Sequence, residues 1–205
     1  VPFTLYPEDA PSIEIPIKKS RFIARLRYAD GEKPVAELLS FAREVDRNAN
    51  HHCYAYILGF DPTARTERSS DDGEPGGTAG APILRTLKAH DLCNVVLVVS
   101  RYFGGVKLGA GGLTRAYARA ASSAIELANL RPLVRTNIFE LVASHASAGK
   151  LEAELRGRGF EVTDVRHGES VQMTVLSPDG VALAAAVNDI SSGTIDLVPM
   201  GHVWK

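Results

Sequence analysis

A chain of 205 residues, 45% hydrophobic and 23% charged, has the make-up of a folded globular protein of one large domain or two small ones. That composition argues against wholesale disorder, collagen-like repeats and a coiled-coil rod, and no apolar run approaches the roughly 18 residues of a membrane span. The net charge of −1 conceals an uneven distribution: residues 75–135 carry eight basic side chains and two acidic ones, whereas residues 61–74 carry five acids and two arginines. Such polarity suits contact with a polyanion or an acidic protein, with a solvated mixed surface as the plain alternative. The first residues lack the basic-then-apolar pattern of an export signal. Cys53 and Cys93, the only cysteines, are therefore expected as reduced thiols in the cytoplasm.

Taken in chain order, residues 20–28 alternate as a half-buried strand, with Phe22, Ala24, Leu26 and Tyr28 on one face and Arg21, Arg25 and Arg27 on the other. Pro34 opens a helix whose apolar stripe is Val35, Leu38, Leu39, Ala42 and Val45. Residues 52–60 read as a strand, residues 61–80 as a loop, and Pro82 starts a short helix through Lys88. The run Val95-Val96-Leu97-Val98-Val99 predicts a central strand covered on both faces. Five glycines follow within residues 104–112, then a helix from Leu113 to about Asn129. Arg131-Pro132 breaks it, and residues 130–136 read as a linker dividing the chain into domains 1–132 and 133–205. The remainder reads strand 137–143, helix 145–157, strands 160–167 and 170–177, helix 179–190 and strand 194–199. That β-α-β-β-α-β order predicts an α+β unit of ferredoxin-like, split βαβ type, a fold that by itself says almost nothing about function.

Three constellations carry chemistry. In Ser70-Asp71-Asp72-Gly73-Glu74-Pro75-Gly76-Gly77-Thr78-Ala79-Gly80, three carboxylates within four residues suit a divalent cation. The competing reading is a multi-turn loop in which Asp71 and Asp72 accept backbone N–H bonds. In Gly104-Gly105-Val106-Lys107-Leu108-Gly109-Ala110-Gly111-Gly112, a glycine-rich loop leads from an apolar strand into a helix, an arrangement that favours either an anion or tight backbone packing. It is neither a Walker A loop nor a dinucleotide fingerprint. Lys107, with Arg115 and Arg119 one turn apart on the helix, points toward an anionic contact. In His51-His52-Cys53, His51 and Cys53 face one way and His52 the other. Two convergent ligands fall short of the three or four that zinc takes, so neither a metal nor a cofactor is expected. A histidine hydrogen-bonded to the acidic loop is expected instead.

Those motifs, joined to Arg101-Tyr102-Phe103-Gly104-Gly105, Leu108-Gly109-Ala110-Gly111-Gly112-Leu113, Ala116-Tyr117 and the entry Lys18-Lys19-Ser20-Arg21-Phe22, resemble the signature of the IMPACT/YigZ family. The match spans residues 15–125. The resemblance implies a ribosomal-protein-S5 domain-2-like N-terminal domain and a ferredoxin-like C-terminal domain, akin to two domains of elongation factor G. It implies nucleic acid or the translation machinery as partner, and no enzymatic activity.

The expected function is non-catalytic: binding RNA or a ribosomal or translation-factor surface through a face made of Lys18, Lys19, Arg21, Arg25, Arg101, Lys107, Arg115 and Arg119, which neutralise phosphates without reading bases. The motif residues His51, Asp71, Asp72, Gly73, Glu74, Thr78, Gly80, Gly104, Gly105, Gly109, Gly111 and Gly112 build the loops beside it. Two rivals stay open. One is a nucleotide- or phosphate-binding enzyme using residues 104–112 with Mg²⁺ on residues 71–74. The other is a protein-interaction adaptor.

Overall fold

A strand with no polar face is stable only where both of its sides are covered. In the computed structural model, which describes residues 2–205, Val95–Val99 lies in the middle strand of a five-stranded sheet. The protein is a mixed α/β molecule of two compact units, one ending at Leu133 and one beginning at Val134. The first unit runs β1 (Phe3–Leu5), β2 (Ser12–Ile17), β3 (Ser20–Tyr28), α1 (Glu32–Val45), β4 (His51–Leu58), β5 (Thr66–Ser70), α2 (Gly80–Ala89), β6 (Val95–Tyr102), α3 (Ala110–Glu126) and β7 (Leu130–Pro132). Its main sheet has the order β2-β3-β6-β4-β5, antiparallel at every pair, and β1 pairs separately with β7.

Register assigns the faces. Phe22, Ala24 and Leu26 lie opposite Arg101, Val99 and Leu97, which in turn lie opposite His51, Cys53 and Ala55. This face packs on α2 and α3: Ile83, Leu87, Tyr117 and Ala120 are fully buried, and Phe22 meets Tyr117 edge-on at 5.2 Å. The opposite face sets Val96, Val98 and Tyr56 against Ala29 and, from α1, Val35, Leu38 and Ala42. The alternation read at residues 20–28 is therefore the division between the two faces.

Three segments depart from the expectations. Residues 61–80 are not all loop, because Thr66–Ser70 forms β5 at the sheet edge. An edge strand needs no apolar face, and Thr-Glu-Arg-Ser-Ser offers none to read. Residues 130–132 are not linker but β7. α3 begins at Ala110, three residues early, because Leu113 N–H donates to the Gly109 carbonyl at 2.9 Å and closes a turn that contains two glycines.

The second unit runs β8 (Arg135–Ala143), α4 (His145–Gly157), β9 (Glu161–His167), β10 (Val171–Ser177), α5 (Gly180–Ser191) and β11 (Leu197–Trp204). Its antiparallel sheet has the order β11-β8-β10-β9. Ser144 caps α4 by accepting from Ser147 N–H, and Asp179 caps α5 by accepting from the Val181 and Ala182 N–H groups. Leu141, Leu151, Leu155, Met173, Val175 and Leu183 form its core. The last strand reaches Trp204 rather than stopping at residue 199, because a register shift between Pro199 and Gly201 lets pairing resume beyond the proline.

Candidate functional site

The acidic loop leaves β5 at Ser70 and returns to the sheet through its own backbone. Asp71 accepts from Gly77, Ala79 and Gly80 N–H at 2.8–3.0 Å, so it serves the uncapped start of α2 from nine residues upstream. Burial pushes the Asp71 carboxyl up, but those three backbone donors outweigh it and hold the group below the usual aspartate value. Asp72 accepts from His52 N–H at 2.6 Å and lies 3.9 Å from Arg43. Gly73 turns the chain between Asp71 and Glu74, where Glu74 N–H donates to the Asp71 carbonyl, and the buried Thr78 hydroxyl donates to Pro75 O at 2.6 Å. Asp71 and Asp72 thus fold the loop, and no cluster of three His, Cys, Asp or Glu side chains suited to a metal occurs among the described residues.

Glu74 alone turns inward. Its Oε1 accepts from Arg101 Nη1 and from the Tyr117 hydroxyl, both at 2.7 Å, with the Glu74 and Arg101 side chains 3% and 7% exposed. Arg101 projects from β6 on the face of α3, with its guanidinium carbon 5.5 Å from the ring centroids of Phe22 and Phe103. Its Nε is buried without a hydrogen-bond partner. Behind the pair, the Cys53 thiol contacts Tyr117 Oη at 3.3 Å and the Asp71 carbonyl at 3.0 Å. Burial pushes Cys53 up to about 12, which favours the protonated thiol at neutral pH. Burial also pushes the Tyr117 phenol far upward, with Cys53 and Glu74 adding to the effect.

His51 meets the acidic loop as expected: its Nδ1 lies 2.8 Å from the Asp72 carbonyl, which can only accept, so Nδ1 carries a proton. Its Nε2 faces Glu74 Oε2 at 4.0 Å. His52, on the other sheet face, pairs with Ser100 Oγ at 3.0 Å, and burial lowers its pKa.

The glycine-rich loop closes the other side. Gly104 packs so tightly that a Cβ there would lie 1.9 Å from the Lys19 carbonyl, which pins the loop to the β2–β3 hairpin. Gly105 and Gly109 have positive φ, and Gly109 (φ 70°) turns the chain into α3. Gly111 and Gly112 lie in the first turn of α3, which has neither a side-chain cap nor an acidic residue. Between this loop and Glu74 lies an open cleft of about 450 Å³, lined among others by Asn50, His51, Arg101, Phe103 and Lys107. Sequence reasoning missed Asn50, whose Oδ1 accepts from Phe103 N–H at 2.8 Å, and carried Tyr117 only in the family motif, with no partner for its hydroxyl. A polar residue directly before His51 was the available signal.

The eight expected contact cations do not share one face. Arg25 lies on the α1 side, buried in an ion pair with Asp46, and Arg21 stacks 4.4 Å over Tyr102 on that same side. Arg101 is bound to Glu74. By contrast, Lys18, Arg115 and Arg119 line one groove of about 310 Å³ with Leu108 and Gly112, and Leu108 also lines the cleft that holds Lys107. Lys18 and Lys19 form the two-residue hairpin turn between Ile17 and Ser20, both at positive φ (45° and 68°). Five exposed cations thus gather around α3 and its loop, while Arg21, Arg25 and Arg101 are spent on local contacts.

No helix among the described residues is long and apolar enough to cross a membrane. The Impact N-terminal domain model matches residues 18–125, and a second model, a domain of unknown function (DUF1949), matches residues 141–194. The chain is 34% identical over 192 residues to the IMPACT family member YvyE of Bacillus subtilis, covering 93% of this chain and 88% of that one. A crystal structure described only as a hypothetical protein superimposes with a TM-score of 0.63 at 30% identity, covering 97% of both chains. A structure of the two-domain translational regulator Yih1 matches 57% of this chain and 47% of that one at 27% identity, with a TM-score of 0.40. With the first family model spanning residues 18–125 and YvyE aligned over nearly the whole length, this chain belongs to the IMPACT family.

Proposed function

We propose that this protein is a non-catalytic, translation-associated factor that binds RNA, or a phosphate-rich ribosomal surface, through the groove beside α3. The observation that carries the reading is the gathering of Lys18, Arg115 and Arg119 on that groove, with Lys107 on the adjoining loop. None of these four has an ion-pair partner among the described residues. Charges left unneutralised by the fold are the ones available to displace counterions from a phosphate backbone. A Cβ on Gly111 would lie 3.4 Å from Arg115 Nη1, so that guanidinium already leans along the helix toward the loop. The hairpin adds support. Two lysines hold left-handed φ, which costs an L-residue about 1–2 kcal/mol, and the turn retains them where Asn-Gly is favoured.

The translational setting comes from the family resemblance, and two free, buried cysteines suit a reducing cytosol. We read the first domain as S5 domain-2-like through that resemblance, and the strand order β11-β8-β10-β9 supports a ferredoxin-like second domain. The test is binding of a fluorescent structured RNA across a salt series, with Arg115→Ala/Arg119→Ala beside the unaltered chain. The expected result is a steep slope of log K against log salt that flattens by about 2 in the variant. Equal slopes would remove the groove from the contact, and no binding at low salt would end the RNA reading.

A further inference from the structure

We propose that the cleft walled by Phe103 stacks one unpaired base of the RNA whose backbone lies on the basic groove, so that the ligand is an RNA with a bulged or single-stranded nucleotide and not a fully paired duplex. This rests on the RNA reading above and deepens it.

A single exposed phenylalanine is ordinary on a protein surface, but Phe103, 46% exposed, stands with Pro75, Leu108 and Leu113 around an open cleft of about 450 Å³, the size of a small-ligand site. Its backbone is held from two directions. Phe103 N–H donates to Asn50 Oδ1 at 2.8 Å and Gly104 N–H donates to Ser20 Oγ at 3.3 Å, while a Cβ on Gly104 would lie 1.9 Å from the Lys19 carbonyl. The ring is therefore presented from a fixed stretch of chain, and little entropy is lost when a partner settles on it. Arg101, tied to Glu74, lies with its guanidinium carbon 5.5 Å from the Phe103 centroid, and no aromatic ring among the described residues pairs with Phe103. A flat, polarisable group gains most on such a ring.

Asn50 supplies a polar edge to the same cleft. A backbone N–H can only donate, so the Asn50 atom that Phe103 N–H meets is the carbonyl oxygen. The Asn50 Nδ2 group is turned away from that bond with two donors that have no partner among the described residues. Every base carries ring-nitrogen or carbonyl acceptors on its edge.

Position ties the cleft to the groove. Leu108 lines both, and Lys107 of the same loop lines the cleft. The groove holds Lys18, Arg115 and Arg119 but no aromatic side chain, whereas the cleft holds the exposed ring. Phosphates and base of one nucleotide thus meet neighbouring surfaces of different chemistry. Only an unpaired nucleotide can use both, because in a duplex each base is stacked and paired inside the helix. Stacking is also tolerant of base identity, in keeping with a contact that reads no sequence.

The full-length chain is titrated, by fluorescence anisotropy across a salt series, with three RNAs built on one labelled blunt duplex: fully paired, with one bulged adenosine, and with the same bulge carrying an abasic site. The expected result is that the bulged adenosine binds about tenfold or more tighter than either of the others, the size of one base–aromatic stack. Stacking releases no phosphate counterions, so the ratio should hold across the salt series. Phe103→Leu should bring the three RNAs within about twofold of one another without changing the salt slope, and Phe103→Tyr should keep the preference. Arg115→Ala/Arg119→Ala should flatten the slope for all three RNAs and leave the ratio intact. Equal affinity for the bulged, abasic and paired RNAs overturns the base site while leaving the groove, as does a preference that survives Phe103→Leu. No binding of any of the three at low salt overturns the RNA reading and the base site with it.

Discussion

The loop from Asp71 to Gly80 and the loop from Gly104 to Gly112 lie at the same end of one sheet and touch through Glu74 and Arg101, but they handle polar groups in opposite ways. In the first, Asp71 accepts three backbone N–H bonds and Asp72 a fourth, so its acids are consumed by folding. In the second, the start of α3 is uncapped, Lys107 is exposed and the Nε of Arg101 behind it is unmet. From the sequence the first loop suits either a divalent cation or its own backbone, and the second either an anion or tight packing. Where each donor and acceptor ends decides the matter. The acidic loop spends its acids on structure, whereas the glycine-rich loop leaves its helix-start donors and its lysine unspent.

The strongest way to break this contrast is to cut the link between the loops. Glu74→Gln leaves Arg101 charged and uncompensated in a buried position, and urea denaturation should record a loss of about 3–5 kcal/mol. A loss under 1 kcal/mol would mean that the pair is not holding the loops together.

Next in size is Asp71→Asn, which removes the anionic acceptor from the start of α2 and should cost about 1–2 kcal/mol at pH 7. The sign with pH follows from the lowered pKa. A carboxyl depressed in the fold contributes fully above its unfolded value, about 4, and loses that contribution as pH falls through the lower folded value. Unfolding midpoints from pH 6 to pH 2 should therefore drop less steeply in the variant than in the unaltered chain.

Replacing Lys18-Lys19 by Asn-Gly relieves the left-handed turn and should raise stability by about 1 kcal/mol while weakening RNA binding. A stability gain with unaltered affinity would assign those lysines no part in the contact. The smallest expected stability effect is that of Lys107→Ala, within about 0.5 kcal/mol on thermal melting, because the side chain is exposed and has no ion-pair partner among the described residues. A larger loss would place Lys107 in the fold rather than on a ligand.

Much of this was legible in advance. The period-two pattern of residues 20–28 marked the two sheet faces, the apolar run at 95–99 marked the central strand, and the Gly-rich stretch marked the open loop. The rest depends on pairing between distant residues. β5 is polar because it sits at an edge, so no alternation announces it. Arg25 and Arg101 look like any other surface cations in one dimension. Only the strand register sends Arg25 to Asp46 on one face and Arg101 to Glu74 on the other. The Tyr117 hydroxyl is hidden for the same reason, since a helical stripe reports burial and not what the buried polar atom meets.

The most direct test of the contrast is an amide chemical-shift map of the isotope-labelled chain during titration with a structured RNA. The account predicts perturbations at Lys18, Lys19 and from Gly105 to Arg119, with the amides of Gly77, Ala79 and Gly80 held on Asp71 and unmoved. Shifts centred on residues 71–80, or confined to residues beyond Val134, would contradict it.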